Sequence, residues 1–176
     1  MVLEGYMWNF PGFGSTTTME NAVIDLLGEQ KADLFFERYR SNYITEKDIS
    51  FLAENGFNAL RIPLHYKHFS PSFNEFTDIG FDLLEPIINA CRDNDMYVVL
   101  DMHAAPGAQN TSDFSDSDEQ EARLFTQYSN QKWYVSTWRY IAEHYANEPV
   151  VAAYDLLNEP VLPWGYGPPA LRNLYE

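Results

Sequence analysis

Cysteine occurs once in the 176 residues, as Cys91, so an intramolecular disulfide is excluded. Its neighbours Ile87, Ile88 and Ala90 mark it as core packing. Basic residues are scarce as well: 11 Lys and Arg stand against 26 Asp and Glu, and a net charge of -15 repels phosphates, which excludes nucleic acid as a partner. Long apolar runs are missing. No stretch approaches the roughly 18 residues of a membrane span, and no basic segment followed by an apolar one opens the chain, so neither a membrane partner nor a signal peptide is expected here. There is no Gly-rich phosphate loop, and Ser, Cys and His do not assemble into a nucleophilic pattern. His65 and His68 stand three residues apart without an evident third ligand, so neither a metal nor a cofactor is implied. What is present, 45% hydrophobic residues, suffices for one core. A single domain over residues 1–176 is expected, with an uncharged substrate.

Along the chain, residues 1–18 read as a loop carrying Trp8, Phe10 and Phe13, which either wall a pocket or cover the end of a core. From Met19 to about Arg40, Val23, Leu26, Leu27, Leu34, Phe35 and Tyr39 fall at helical spacings, with a break at Gly28. Thr45 and Asp48 form a capping box ahead of a helix with Ile49, Leu52 and Ala53 on its buried stripe, and Gly56 suits its left-handed stop. Phe57–Ile62 is then a strand finishing at Arg61-Ile62-Pro63, and a loop with His65, Tyr66, His68 and Phe73 follows. A helix over 82–93 repeats Leu84, Ile87, Ile88 and Cys91 on one face, with Pro86 tolerated near its first turn. Met96–Met102 is the next strand. After the polar loop 106–118, helical segments are expected at Glu119–Tyr128 and Lys132–Tyr145, the second with Tyr134, Trp138, Ile141 and Tyr145 on one stripe.

Val150 to Pro160, VVAAYDLLNEP, is an apolar strand that reads as buried on both faces, as in a parallel sheet covered by helices. Pro160 donates no backbone hydrogen bond, so the ladder stops at or before it. The three strands are separated by intervals long enough for a crossover with a helix in each. Polar residues gather where each strand stops: Arg61 on the first, Asp101 and His103 on the second, Asp155, Asn158 and Glu159 on the third. Carboxyl ends of parallel strands are where such folds bind ligands, which makes Glu159 a candidate proton donor or nucleophile.

Asn58-x-x-Arg61-Ile62-Pro63, Asp101-x-His103 followed by Ala105-Pro106-Gly107-Ala108-Gln109-Asn110, and Leu157-Asn158-Glu159-Pro160 together resemble glycoside hydrolase family 5. The likeness is to its cellulase-like and exo-β-1,3-glucanase-like branch. Leu3-Glu4-Gly5-Tyr6-Met7 is similar to the segment after that family's first barrel strand. The resemblance implies an α/β fold, a partial (β/α)8 TIM barrel of about strands 2–4 with flanking helices, from an enzyme that cleaves β-glycosidic bonds with retention. Glu159 would be the general acid/base, Asn158 would hydrogen-bond the sugar, and Arg61 and His103 would line the same subsite. Trp164, in VLPWGYG, is either a sugar platform or a loop anchor. The substrate would be a β-linked oligo- or polysaccharide, and the family's habit suggests an extracellular enzyme.

The departures from that pattern also carry expectations. A full barrel needs about 250 residues and eight strands, and the family's nucleophile, a second glutamate on a later strand, is not among these residues. A retaining pair requires carboxyl groups about 5 to 5.5 Å apart. Asp101 and Asp155 are the only substitutes, and Asp155 better suits pairing Arg61 or His103. The chain therefore reads as an incomplete fragment, inactive alone, whose open sheet edges invite self-association. The alternative is a noncatalytic carbohydrate-binding or remnant barrel domain. Arg61 tying down Asp101, or His103 serving a neighbouring loop, would be the structural readings of those two residues.

Overall fold

The computed structural model describes residues 14–117 and 121–176. The loop aromatics Trp8, Phe10 and Phe13, and the motif from Leu3 to Met7, lie outside the described residues. Two helices, α1 (Thr16–Leu27) and α2 (Glu29–Tyr43), break at Gly28 as the spacing suggested. α1 starts earlier than expected because the Ser15 hydroxyl accepts the Thr18 amide at 3.2 Å and caps it. α3 (Glu46–Glu54) opens with the Asp48 carboxylate accepting both the Thr45 amide and the Thr45 hydroxyl at 2.8 Å. It closes in a Schellman turn: the Gly56 amide reaches the Ala53 carbonyl and the Phe57 amide the Leu52 carbonyl, with Gly56 at φ +87° where a β-carbon would be strained.

The remaining elements alternate: β1 (Ala59–His65), α4 (Ile79–Asp93), β2 (Tyr97–Ala104), α5 (Tyr128–His144), β3 (Val151–Asp155) and α6 (Pro168–Tyr175). The strands form one parallel sheet in the order β1-β2-β3. Alternation divides its faces. Ile62 and Leu64 with Val98, Leu100 and Met102 are buried among Leu84, Ile88, Cys91, Trp138 and Ile141 on the helical side. Arg61, Asp101, His103 and Asp155 share the other.

Four expectations are corrected. β1 does not stop at Pro63 but runs to His65; among the described residues it is an outer strand paired only with β2, so the missing amide of Pro63 is tolerated. α4 starts at Ile79, which places Pro86 inside the helix rather than near its first turn. Residues 123–126 form a turn instead of a helix, because the Arg123 and Leu124 amides are spent on the carbonyls of Gly107 (2.7 Å) and Ala108 (3.2 Å). β3 is not buried on both faces. Among the described residues it pairs only with β2, and Ala152 and Ala153 are exposed.

A buried polar knot ties the outer ends of this frame together. Asp116, with its side chain 4% exposed, accepts the Thr17 amide and hydroxyl at 2.7 Å each, the His65 Nε2 proton at 3.0 Å and the Lys67 ammonium at 3.2 Å. It thereby joins the first turn of α1, the end of β1 and the loop after β2. Burial alone would raise the Asp116 carboxyl, but His65, Lys67 and Thr17 hold it well below the usual carboxylate range. Burial depresses His65, against the pull of Asp116, and depresses His68 further. The signs agree. A depressed imidazole binds its proton more readily when unfolded, so stability falls as pH drops below about 6.5. The depressed carboxyl adds a loss as pH falls below about 3.9. Thermal melts from pH 7.5 downward should show a midpoint that declines across the first window, with a shallower decline in His68→Phe; a midpoint independent of pH would contradict this account.

Candidate active site

The Arg61 side chain crosses the open face of all three strands. Its Nη2 lies 2.9 Å from Asp155 Oδ2, 3.1 Å from Asp101 Oδ2 and 2.8 Å from Asn158 Oδ1. His103 Nδ1 donates to Asp101 Oδ2 at 2.6 Å, because a carboxylate only accepts, so Nε2 is left as an acceptor and meets the Asn158 amide nitrogen at 3.4 Å. A closed ring results, running Arg61, Asn158, His103, Asp101 and back to Arg61. It assigns the Asn158 carboxamide: oxygen toward the guanidinium, nitrogen toward the imidazole. One Asn158 N–H hydrogen remains available, since only one of the two is used. Asp101 is fully buried, whereas Arg61 and Asp155 side chains are 43% and 40% exposed, so the ring lies at the floor of an open surface.

Glu159 follows this ring directly. Its backbone is left-handed, φ +43°, a conformation costing a non-glycine residue about 1–3 kcal/mol. The surrounding hydrogen bonds account for its persistence. The Asn158 amide donates to the Met102 carbonyl at 3.0 Å. The fully buried Gln109 carboxamide receives the Ala105 amide at 3.2 Å and donates to the carbonyls of His103 (2.6 Å) and Asn158 (3.1 Å). Asn110 donates to the Glu159 carbonyl at 2.9 Å, and the Val161 amide reaches the Gln109 carbonyl at 3.1 Å. Just upstream, the Leu156 carbonyl accepts from both Tyr134 Oη at 2.7 Å and Trp138 Nε1 at 2.9 Å. The chain before and after the acid is held at five points while its own side chain is exposed and makes no hydrogen bond or ion pair among the described residues.

Of the residues singled out in the sequence, Arg61, His103 and Asn158 are in contact, and Glu159 adjoins them. Asp155 pairs Arg61, as its position suggested, and Arg61 also ties down Asp101. Trp164 is fully exposed and has no ring contact among the described residues, and it does not join the ring. Gln109 and Asn110 were legible only as part of a motif; their service to backbone carbonyls 49 residues away has no periodicity to betray it. Removing the Gln109 carboxamide strands three backbone groups. Gln109→Ala should cost about 2–4 kcal/mol in urea denaturation and speed hydrogen exchange at the Asn158 amide; an unchanged midpoint would show that the clamp does not restrain the loop.

Residues 18–167 match the family model Cellulase (glycosyl hydrolase family 5). The chain is 31% identical over 166 residues to a beta-xylosidase of Phanerodontia chrysosporium, covering 93% of this chain and 34% of that protein. It is 34% identical over 132 residues to endoglucanase C of Acetivibrio thermocellus, covering 74% of this chain and 37% of that protein. Among solved structures, rutinosidase from Aspergillus niger superposes with a TM-score of 0.67 at 20% identity, over 76% of this chain and 38% of the other, a likeness of fold. The chain thus spans about a third of the length of the curated relatives it matches. Its parallel sheet with flanking helices is part of the TIM-barrel architecture of such enzymes, as the family resemblance implied.

Proposed function

The chain belongs to glycosyl hydrolase family 5, and we propose that it carries the acid/base half of a retaining active site for β-glucans or related β-glycans. The observation that supports this most is the coincidence of a strained, tightly clamped Glu159 backbone with an exposed, unpartnered Glu159 side chain beside the Arg61–Asn158–His103–Asp101 ring. Structural acids are normally paired or fully solvated on relaxed backbone; here the fold bears strain to present one.

In this reading the sugar at the cleavage point lies over the ring, with the spare Asn158 N–H donating to one of its hydroxyls. Arg61 and His103 line the same subsite. Glu159 gives its proton to the departing glycosidic oxygen while a second carboxylate attacks the anomeric carbon. It then takes a proton from the water that hydrolyses the glycosyl intermediate. Arg61 sets a positive charge between Asp101 and Asp155 at the floor of the subsite. Trp164 offers an apolar face for a sugar ring further along the glycan.

The attacking carboxylate is not supplied by these residues. Asp101 and Asp155 both spend an oxygen on Arg61, and Asp101 spends the same oxygen on His103 as well. A retaining nucleophile has to stand free about 5 to 5.5 Å from the acid. The same pairing favours a second reading, a barrel remnant that binds glycans without cleaving them. The names of the two relatives, a xylosidase and an endoglucanase, leave both the linkage and the end or interior mode of attack open.

Reducing-sugar release separates the readings. The 176-residue chain alone should release none from β-1,3- or β-1,4-glucan. A chain extended by the later barrel strands of a family relative should turn over and lose about 10²–10⁴-fold in kcat on Glu159→Gln. An extended, folded chain that binds oligosaccharide but never cleaves it would establish the remnant; turnover by the 176 residues alone would overturn the division of labour.

A further inference from the structure

We propose a second glycan-binding site on the helical side of the molecule, in a groove of about 630 Å³ between the first half of α5, α6 and the turn around residues 72–75. None of its lining residues belongs to the Arg61 ring. The choice of a β-glycan as ligand rests on the reading of the cleft given above; the existence of the site does not.

Its chemistry is that of a saccharide platform. Phe73 is 42% exposed and has no ring partner among the described residues, and Tyr128 is 71% exposed. Apolar rings so placed are open to a ligand, and a β-linked sugar offers a flat C–H face of matching size with hydroxyls at its edge. The carboxamides of Asn74, Gln131 and Asn173 line the same groove and can donate to and accept from those hydroxyls. No acid lines the groove, in a chain with 26 of them.

The platform is also stiff. Ser70 Oγ donates to the Glu75 carbonyl at 2.8 Å and lies 3.1 Å from the Ser72 carbonyl, Ser72 bridges Glu75, and the Trp133 indole of α5 donates to Ser70 Oγ at 2.8 Å. Phe73 is thereby presented on a turn fastened to the helix that carries Tyr128 and Gln131. The Lys132 ammonium stands 5.0 Å from the Tyr128 ring centre and restricts that ring in turn. Groups held this way lose little entropy when a ligand arrives.

Titration of the 176-residue chain with cellohexaose and with laminarihexaose, followed through side-chain amide and aromatic NMR signals, tests the site. Saturable shifts are expected at Asn74, Gln131 and Asn173. Phe73→Ala and Tyr128→Ala should each weaken them about tenfold or more, the scale of one lost stacking contact, and Glu159→Gln should leave them unchanged. Shifts at Gln109 and Asn158 report the cleft separately, so either site can fail without the other. Absence of saturable shifts in the groove, shifts indifferent to both ring deletions, or binding abolished by moderate salt, which would mark an anionic ligand, would each overturn the proposal.

Discussion

The guanidinium of Arg61 is where the three strands become one site. Backbone pairing alone fixes the sheet's order and register, but it is indifferent to what the open face carries. Three carboxyl-end residues, Asp101, Asp155 and Asn158, are drawn to one Nη2 within 3.1 Å. The planar guanidinium donates from Nε and Nη2 to Asp155 and from Nη2 to Asn158 while standing in ion-pair contact with Asp101, an arrangement an ammonium on a flexible stem would hold with less definition. The buried Asp101 carboxylate meets both Arg61 and His103 through Oδ2, which offsets part of its desolvation and aligns His103, while its buried Oδ1 has no hydrogen bond among the described residues.

The same ring accounts for the placement of Glu159. Asn158 is locked on both sides, through its carboxamide to Arg61 and His103 and through its backbone to Met102 and Gln109. The next residue begins from a fixed point and is closed by Asn110 from the other side. A residue at φ +43° would relax if either end were loose. The loop after β2 that supplies Gln109 and Asn110 is itself anchored by Asp116 to His65 and Thr17. A buried knot remote from the acid therefore belongs to the same chain of restraints.

Much of this was legible in the residues because it obeys a local period or a local rule. The Thr45–Asp48 box, the Gly28 break, the stripes of α4 and α5 and the collection of polar groups at strand ends follow from spacing. The departures occur where distant groups compete for backbone hydrogen bonds. Residues 123–126 have helical spacing, yet the Arg123 and Leu124 amides are taken by the carbonyls of Gly107 and Ala108. Pro63 looks like a terminator, but its tolerance depends on the strand lying outermost, a property of the sheet rather than of the segment. Asp116 and His65 meet across 51 positions, with no pattern in either neighbourhood to connect them.

β3 shows most clearly how far composition can lead. Val150 to Leu157 has the apolar run of a strand enclosed on both sides, and Val150 and Leu157 are indeed buried, yet Ala152 and Ala153 between them are exposed. Ala153, on the face shared with Asp155, suits the crowded interior of a closed barrel, where layers of side chains from neighbouring strands fill the centre, whereas Ala152 lies on the opposite face. The exposure of Ala153 makes the face below the Arg61 ring and the floor of the cleft one continuous surface among the described residues. The interaction that gathers the polar groups at one end of the face is then also what keeps three strands in barrel geometry where the lumen side offers little packing of its own.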